Sequence, residues 1–219
     1  MYPKTSLILS LALTILTGQL PGQTLYGTSQ FSKAEVSSPI NKLSKLSKLS
    51  ELSEQEQTAL TAGKVILTGQ DGHYVSKILI NAPIEKAWKV LTDYRNFPKF
   101  LPTVTSVKIL ESKGNYTVYE QTNVVQILFF SQSSKLTIAA TADYPSLITF
   151  EMQTGESIKS LNGVWQIEVI SPNQVLVTNT VNVEPSPSTP SSLFFSIYSD
   201  SLIKTLIALR QEAERRSSY

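Results

Sequence analysis

The chain contains no cysteine and a single histidine, His73. Disulfides, thiolate nucleophiles and cysteine-ligated zinc are therefore excluded. One histidine cannot make a multi-histidine metal site, and a Ser-His-Asp triad is hard to assemble around it. No residue pattern asks for a cofactor or a metal. Charge of one sign is scarce as well: 19 Lys and Arg face 17 Asp and Glu, a net charge of +2. No basic cluster is interleaved with aromatics, so nothing points to a nucleic-acid partner. With 41% hydrophobic and 16% charged residues in a length of 219, the composition is that of a globular domain with extensions.

Long apolar runs are few. The first follows Lys4 and covers Ser6–Leu16. One positive charge before such a run has the shape of an export signal, and the run falls short of the roughly 20 residues that span a membrane. Residues 1–22 are read as a signal peptide or an uncleaved N-terminal anchor, and the protein as exported to a periplasm, lumen or medium. No Ala-x-Ala marks the cut; Gly22 and Gly27-Thr28-Ser29 are the candidate sites. Residues 23–52 read as a flexible Ser/Lys/Leu linker. Within it Leu43, Leu46, Leu49 and Leu52 recur every three residues. On a helix that step of about 300° walks around the cylinder and holds no stripe. The basic repeat could touch an anionic membrane surface weakly, although a tether is the simpler reading.

Order is expected from Ser53. Ser53 and Glu56 fit a capping box, and Gly63 suits the left-handed position after a short helix over 53–62. A domain over 63–219 follows. Asp71-Gly72 signals a hairpin between strands at 64–68 and 73–80, with His73 solvated at its tip. Pro83 opens a helix whose Ile84, Ala87, Trp88 and Leu91 share one face, and Asp93 is expected to cap a further short turn. Six strands are read near 104–111, 115–129, 133–143, 147–153, 163–170 and 174–184. Their short Gly, Pro, Asn and Ser connections imply antiparallel neighbours. Pro185 to Pro190 stops the sheet. A long helix then starts at Ser191 or Ser192, with Phe195, Tyr198, Leu202, Leu206 and Leu209 on its apolar stripe.

The segment from Ile80-Asn81-Ala82-Pro83 through Asp93-Tyr94-Arg95-Asn96-Phe97-Pro98 to Pro102, with Gly163-Val164-Trp165 and Val183-Glu184-Pro185, resembles START-like (SRPBCC) proteins of the polyketide cyclase/dehydrase and coenzyme Q-binding type. The resemblance covers about residues 63–215. It implies an α+β helix-grip fold, in which a curved antiparallel sheet wraps a long C-terminal helix and two short helices follow the first strands. It also implies a cavity between sheet and helix that holds a lipid or another hydrophobic small molecule. Asn179 departs from the aromatic that relatives often carry there, which makes it either a polar hook or a satisfied core amide.

If that cavity exists, inward strand positions and the helix would wall it. The candidates are Leu136, Ile138, Ala140, Phe150, Met152, Trp165, Ile167, Val177 and Asn179 on strands, and Phe195, Tyr198 and Leu202 on the helix. Phe100 and Leu101 would form a lid. Each could equally be plain core. A cyclase or dehydrase would need an acid or base among Glu120, Asp143, Glu151, Glu168, Tyr119 and Tyr198. No spacing forces two carboxylates together, so the residues favour binding over catalysis and assign no catalytic group. A third alternative is an interaction module with a filled core.

Overall fold

The computed structural model describes residue 49, residues 51–127 and residues 130–218. The export signal at 1–22 and most of the linker at 23–52 lie outside the described residues. Helix α1 spans Glu54–Thr61 and carries the capping box: the Ser53 side chain accepts from Glu56 N, and the Glu56 carboxylate accepts from Ser53 N at 3.0 Å. Two strands follow, β1 Ile66–Gln70 and β2 His73–Ile80. Their turn holds Asp71 at φ 53° and Gly72 at φ 91°, both left-handed as a two-residue hairpin of this hand requires. Gly72 is also required by space, since a Cβ there would lie 2.2 Å from the Val183 carbonyl oxygen. His73 is exposed at the tip, and its Nδ1 donates to Asn182 Oδ1 at 2.7 Å.

Helix α2 is Ile84–Leu91, with Pro83 at the cap itself and not one position inside. A 3₁₀ turn at Tyr94–Asn96 leads into the one-turn α3, Phe97–Phe100. Asp93 makes no side-chain cap bond to that turn, contrary to expectation. Its carboxylate instead accepts from Arg216 Nη2 and Asn96 Nδ2, both at 2.8 Å. Six strands then run as β3 Val104–Lys113, β4 Tyr116–Ile127, β5 Phe130–Asp143, β6 Leu147–Gly155, β7 Ile158–Ser171 and β8 Gln174–Pro185. The long helix α4 is Ser191–Ser217, with Pro190 at the N-cap position and no side-chain cap bond.

The eight strands form one antiparallel sheet in the order β1-β2-β8-β7-β6-β5-β4-β3. Register shifts place an extra residue on β3, β6 and β7. Such irregularities increase twist and bend the strand that carries them, and so support a sheet that curls round a helix. α4 lies across the concave face, in the helix-grip arrangement. Leu202, Leu206, Leu209 and Ala213 are buried at alternating four- and three-residue steps, and each joins the main core with Ile78, Ile80, Ala87, Val90 and Val177. A smaller cluster on the other face unites Leu60, Leu79 and Leu176 and takes Leu49 and Leu52 against it. The end of the segment read as linker therefore packs on the sheet.

The grip is uneven along α4. Its C-terminal half is pinned: Arg216 bonds Asp93 and Glu212 and sits 5.6 Å over the Phe100 ring, while Glu214 accepts from Asn81 N at 2.9 Å. Every buried residue of the helix lies at or beyond Leu202. No residue between Ser191 and Ser201 is buried, and there the helix and the sheet part.

Candidate ligand cavity

The parted end contains a chamber of about 580 Å³. Its apolar wall comprises Leu136, Ile138, Ile158 and Leu161 on the sheet and Phe194 and Ile197 on the helix. Ser186, Ser188 and Thr189 rim it, together with Glu156 and the half-exposed Leu193. Deeper in the sheet lies a second chamber of about 160 Å³. The two share Thr103, Gln121, Asn123, Ile138, Tyr198, Leu202 and Thr205, which form the neck between them.

Strand alternation builds the inner chamber. On β4, Tyr119, Gln121 and Asn123 are two residues apart and all face the cavity. Ile138 and Ala140 of β5, Ile148 and Phe150 of β6, Trp165 of β7 and Asn179 of β8 close the floor. Gly163 pairs with Phe150 across the β6–β7 ladder. A Cβ on Gly163 would stand 2.6 Å from Phe150 Cζ, so the missing side chain leaves room for that ring to lie against β7. Tyr94, Phe97 and Leu101 cover the far end. Tyr94 stacks on Tyr119 with centroids 4.6 Å apart, and Phe97 meets both edge-on.

Among the described residues, no carboxylate, lysine or arginine lines the inner chamber. Its titratable groups are phenols. Burial pushes Tyr94 up to about 12. Burial, with the neighbouring Tyr94 as a lesser cause, also raises Tyr119; burial, with Tyr74, raises Tyr198. All three are neutral donors at neutral pH. The carboxylates considered for catalysis lie elsewhere. Glu120 pairs with Lys135 at 3.6 Å, Asp143 accepts from Asn115, Glu151 is exposed, and Glu168 lines neither chamber.

Of the residues expected from sequence, Leu101, Ala140, Phe150, Trp165 and Asn179 line the inner chamber, Leu136 the outer, and Ile138, Tyr198 and Leu202 both. Asn179 is 1% exposed, and its Nδ2 donates to the Val164 carbonyl at 3.3 Å. Five others line neither chamber. Ile167 and Val177 continue the faces of Trp165 and Asn179 but are packed in the core. Met152 lies against Gly155, where a Cβ would approach its sulfur to 2.5 Å. Phe100 sits beneath Arg216. Phe195 turns toward Gly72 of the hairpin, and Phe194, one residue and about 100° earlier, takes the cavity side. Sequence reasoning missed Tyr94, Thr103, Gln121, Asn123, Phe194 and Thr205 as wall residues. The two-residue period from Tyr119 carries the signal for Gln121 and Asn123.

A family model described as polyketide cyclase/dehydrase and lipid transport matches residues 80–207, more than half of the chain. The chain belongs to that family. The match opens at Ile80 and takes in both Pro83, which starts α2, and the Gly163-Val164-Trp165 segment under the inner chamber. Solved structures agree in fold. An aromatase/cyclase from Streptomyces sp. R1128 is similar at a TM-score of 0.59 and 18% identity, covering 66% of this chain and 94% of its own. A STAR-related lipid transfer protein from Xanthomonas axonopodis gives 0.56 and 19%, covering 68% and 92%. A START superfamily protein from Mycobacterium smegmatis gives 0.55 and 19%, covering 67% and 98%. No curated protein matches the sequence.

Proposed function

We propose that this member of the polyketide cyclase/dehydrase and lipid transport family binds a hydrophobic small molecule or lipid between its sheet and α4, as a carrier or sequestering protein. The observation that carries the reading is the pair of joined chambers, apolar over most of their walls, with no charged group among the described residues of the inner one. Each buried methylene contributes about 0.8 kcal/mol. A ten-carbon body would offer about 8 kcal/mol against an association cost of roughly 4–15 kcal/mol, so an apolar body needs few polar contacts to hold. The filled-core alternative requires no void above about 300 Å³, the low end of ligand pockets, and the outer chamber is larger. Catalysis has less support, since the polar groups that the described residues turn to the inner chamber are all neutral: phenols, amides, threonine hydroxyls and the Trp165 indole. The export reading rests on residues 1–22 alone.

The test is extraction. Protein purified from its native host is expected to release a lipophilic compound detectable by mass spectrometry. Ala140→Trp, which fills the inner chamber, and Thr205→Phe, which plugs the neck, are expected to abolish uptake. Circular dichroism identifies which of the two variants remains folded. Protein free of any bound compound, together with normal uptake by a folded variant, refutes the proposal.

A further inference from the structure

The inner chamber carries more hydrogen-bonding groups than an apolar ligand could use. The Tyr94 hydroxyl is buried with no partner, and Tyr94 as a residue is 8% exposed. Tyr119, 6% exposed, and Tyr198 make no hydrogen bond through their hydroxyls within the described chain. Ser134 Oγ, on the wall of the outer chamber, is likewise buried without a partner. A buried hydroxyl left unpaired destabilises the fold, and native interiors hold few of them. Here the Tyr94 hydroxyl faces the inner chamber and Ser134 Oγ the outer one.

The polar groups are neutral, and the phenols can donate. A ligand carboxylate or ammonium entering the chamber would lose its water and find no opposite charge. A carbonyl or hydroxyl oxygen would instead accept from the phenols. Size restricts the group further: a cavity of about 150 Å³ holds a benzene-sized ring, and this one measures about 160 Å³. The geometry points to a ligand that inserts head-first, its neutral, ring-sized, carbonyl- or hydroxyl-bearing end among Tyr94, Tyr119 and Asn179, its apolar body in the outer chamber under Phe194 and Ile197. This specificity rests on the binding function proposed above.

Calorimetry with three compounds tests it: octanophenone, octylbenzene and 4-octylbenzoate at pH 7. Octanophenone is expected to bind at least tenfold more tightly than octylbenzene, and 4-octylbenzoate more weakly than either. In Tyr94→Phe/Tyr119→Phe the ketone's advantage over octylbenzene is expected to fall below threefold. Tyr94→Phe alone removes an orphan hydroxyl, so its ligand-free melting temperature is expected to equal or exceed that of the parent. That variant stands in for the pair should the double variant fail to fold. Equal binding of ketone and hydrocarbon, or a ketone advantage that survives loss of the phenols, overturns the head-first reading and leaves the binding function intact. If none of the three binds, both readings fall.

Discussion

Replacing Gly163 by alanine tests how the inner chamber is built. The added Cβ would meet the Thr180 carbonyl oxygen at 2.5 Å and Phe150 Cζ at 2.6 Å. Ordinary contacts begin near 3.5 Å, so each overlap approaches 1 Å. The Thr180 oxygen belongs to β8, which is paired with β7 along its length, and it cannot retreat without disturbing that ladder. The Phe150 ring must move as well. Overpacking of this kind costs about 1–3 kcal/mol, and removing a glycine from a strand returns about 0.5–1 kcal/mol. A net loss of about 1–2 kcal/mol is expected. At about 2–4 °C per kcal/mol for a domain of this size, the melting temperature should fall by about 2–8 °C. Urea titration should show a lower midpoint with an unchanged slope. In a Phe150→Leu background the same change should cost less, because one of the two clashes is gone, and the cycle should give a coupling of about 0.5 kcal/mol or more. A Gly163→Ala protein as stable as the parent, or a cost independent of Phe150, would refute this account of the chamber floor.

Two further expectations follow. The Arg215 side chain beside Glu212, aided by Arg216, holds the Glu212 carboxyl at about 2, below its ordinary 4.5. Because the folded value is the lower one, the stabilisation is present above about pH 4.5 and is lost as pH falls toward 2. It amounts to at most about 3 kcal/mol, and less because Arg215 is 60% exposed; chemical denaturation between pH 5 and 2 should show Glu212→Gln losing less stability over that range than the parent. Leu206 is 0% exposed at the centre of the packed half of α4, so Leu206→Ala should cost about 2–5 kcal/mol. Leu193→Ala, at the open end and 47% exposed, should stay within about 0.5 kcal/mol in the same melts.

Local physics made much of this protein legible in the chain alone. The Ser53–Glu56 capping box, the Asp71-Gly72 turn and the 202-206-209-213 burial on α4 depend on residues a few positions apart, and each formed as the residue types require. Strand alternation likewise named Ala140, Trp165 and Asn179 as facing inward. What periodicity cannot supply is position along the groove. Ile167 and Val177 share faces with Trp165 and Asn179 yet sit two residues away in solid core. Phe194 and Phe195 are alike in chemistry, and only the docked rotation of α4 assigns one to the cavity and the other to the hairpin. The cavity itself is a tertiary outcome. It lies beside the half of α4 remote from the Arg216–Asp93 contact, made across 123 positions, and from the Glu214–Asn81 contact. Contacts of that range follow from how the chain closes on itself, and no local pattern encodes them.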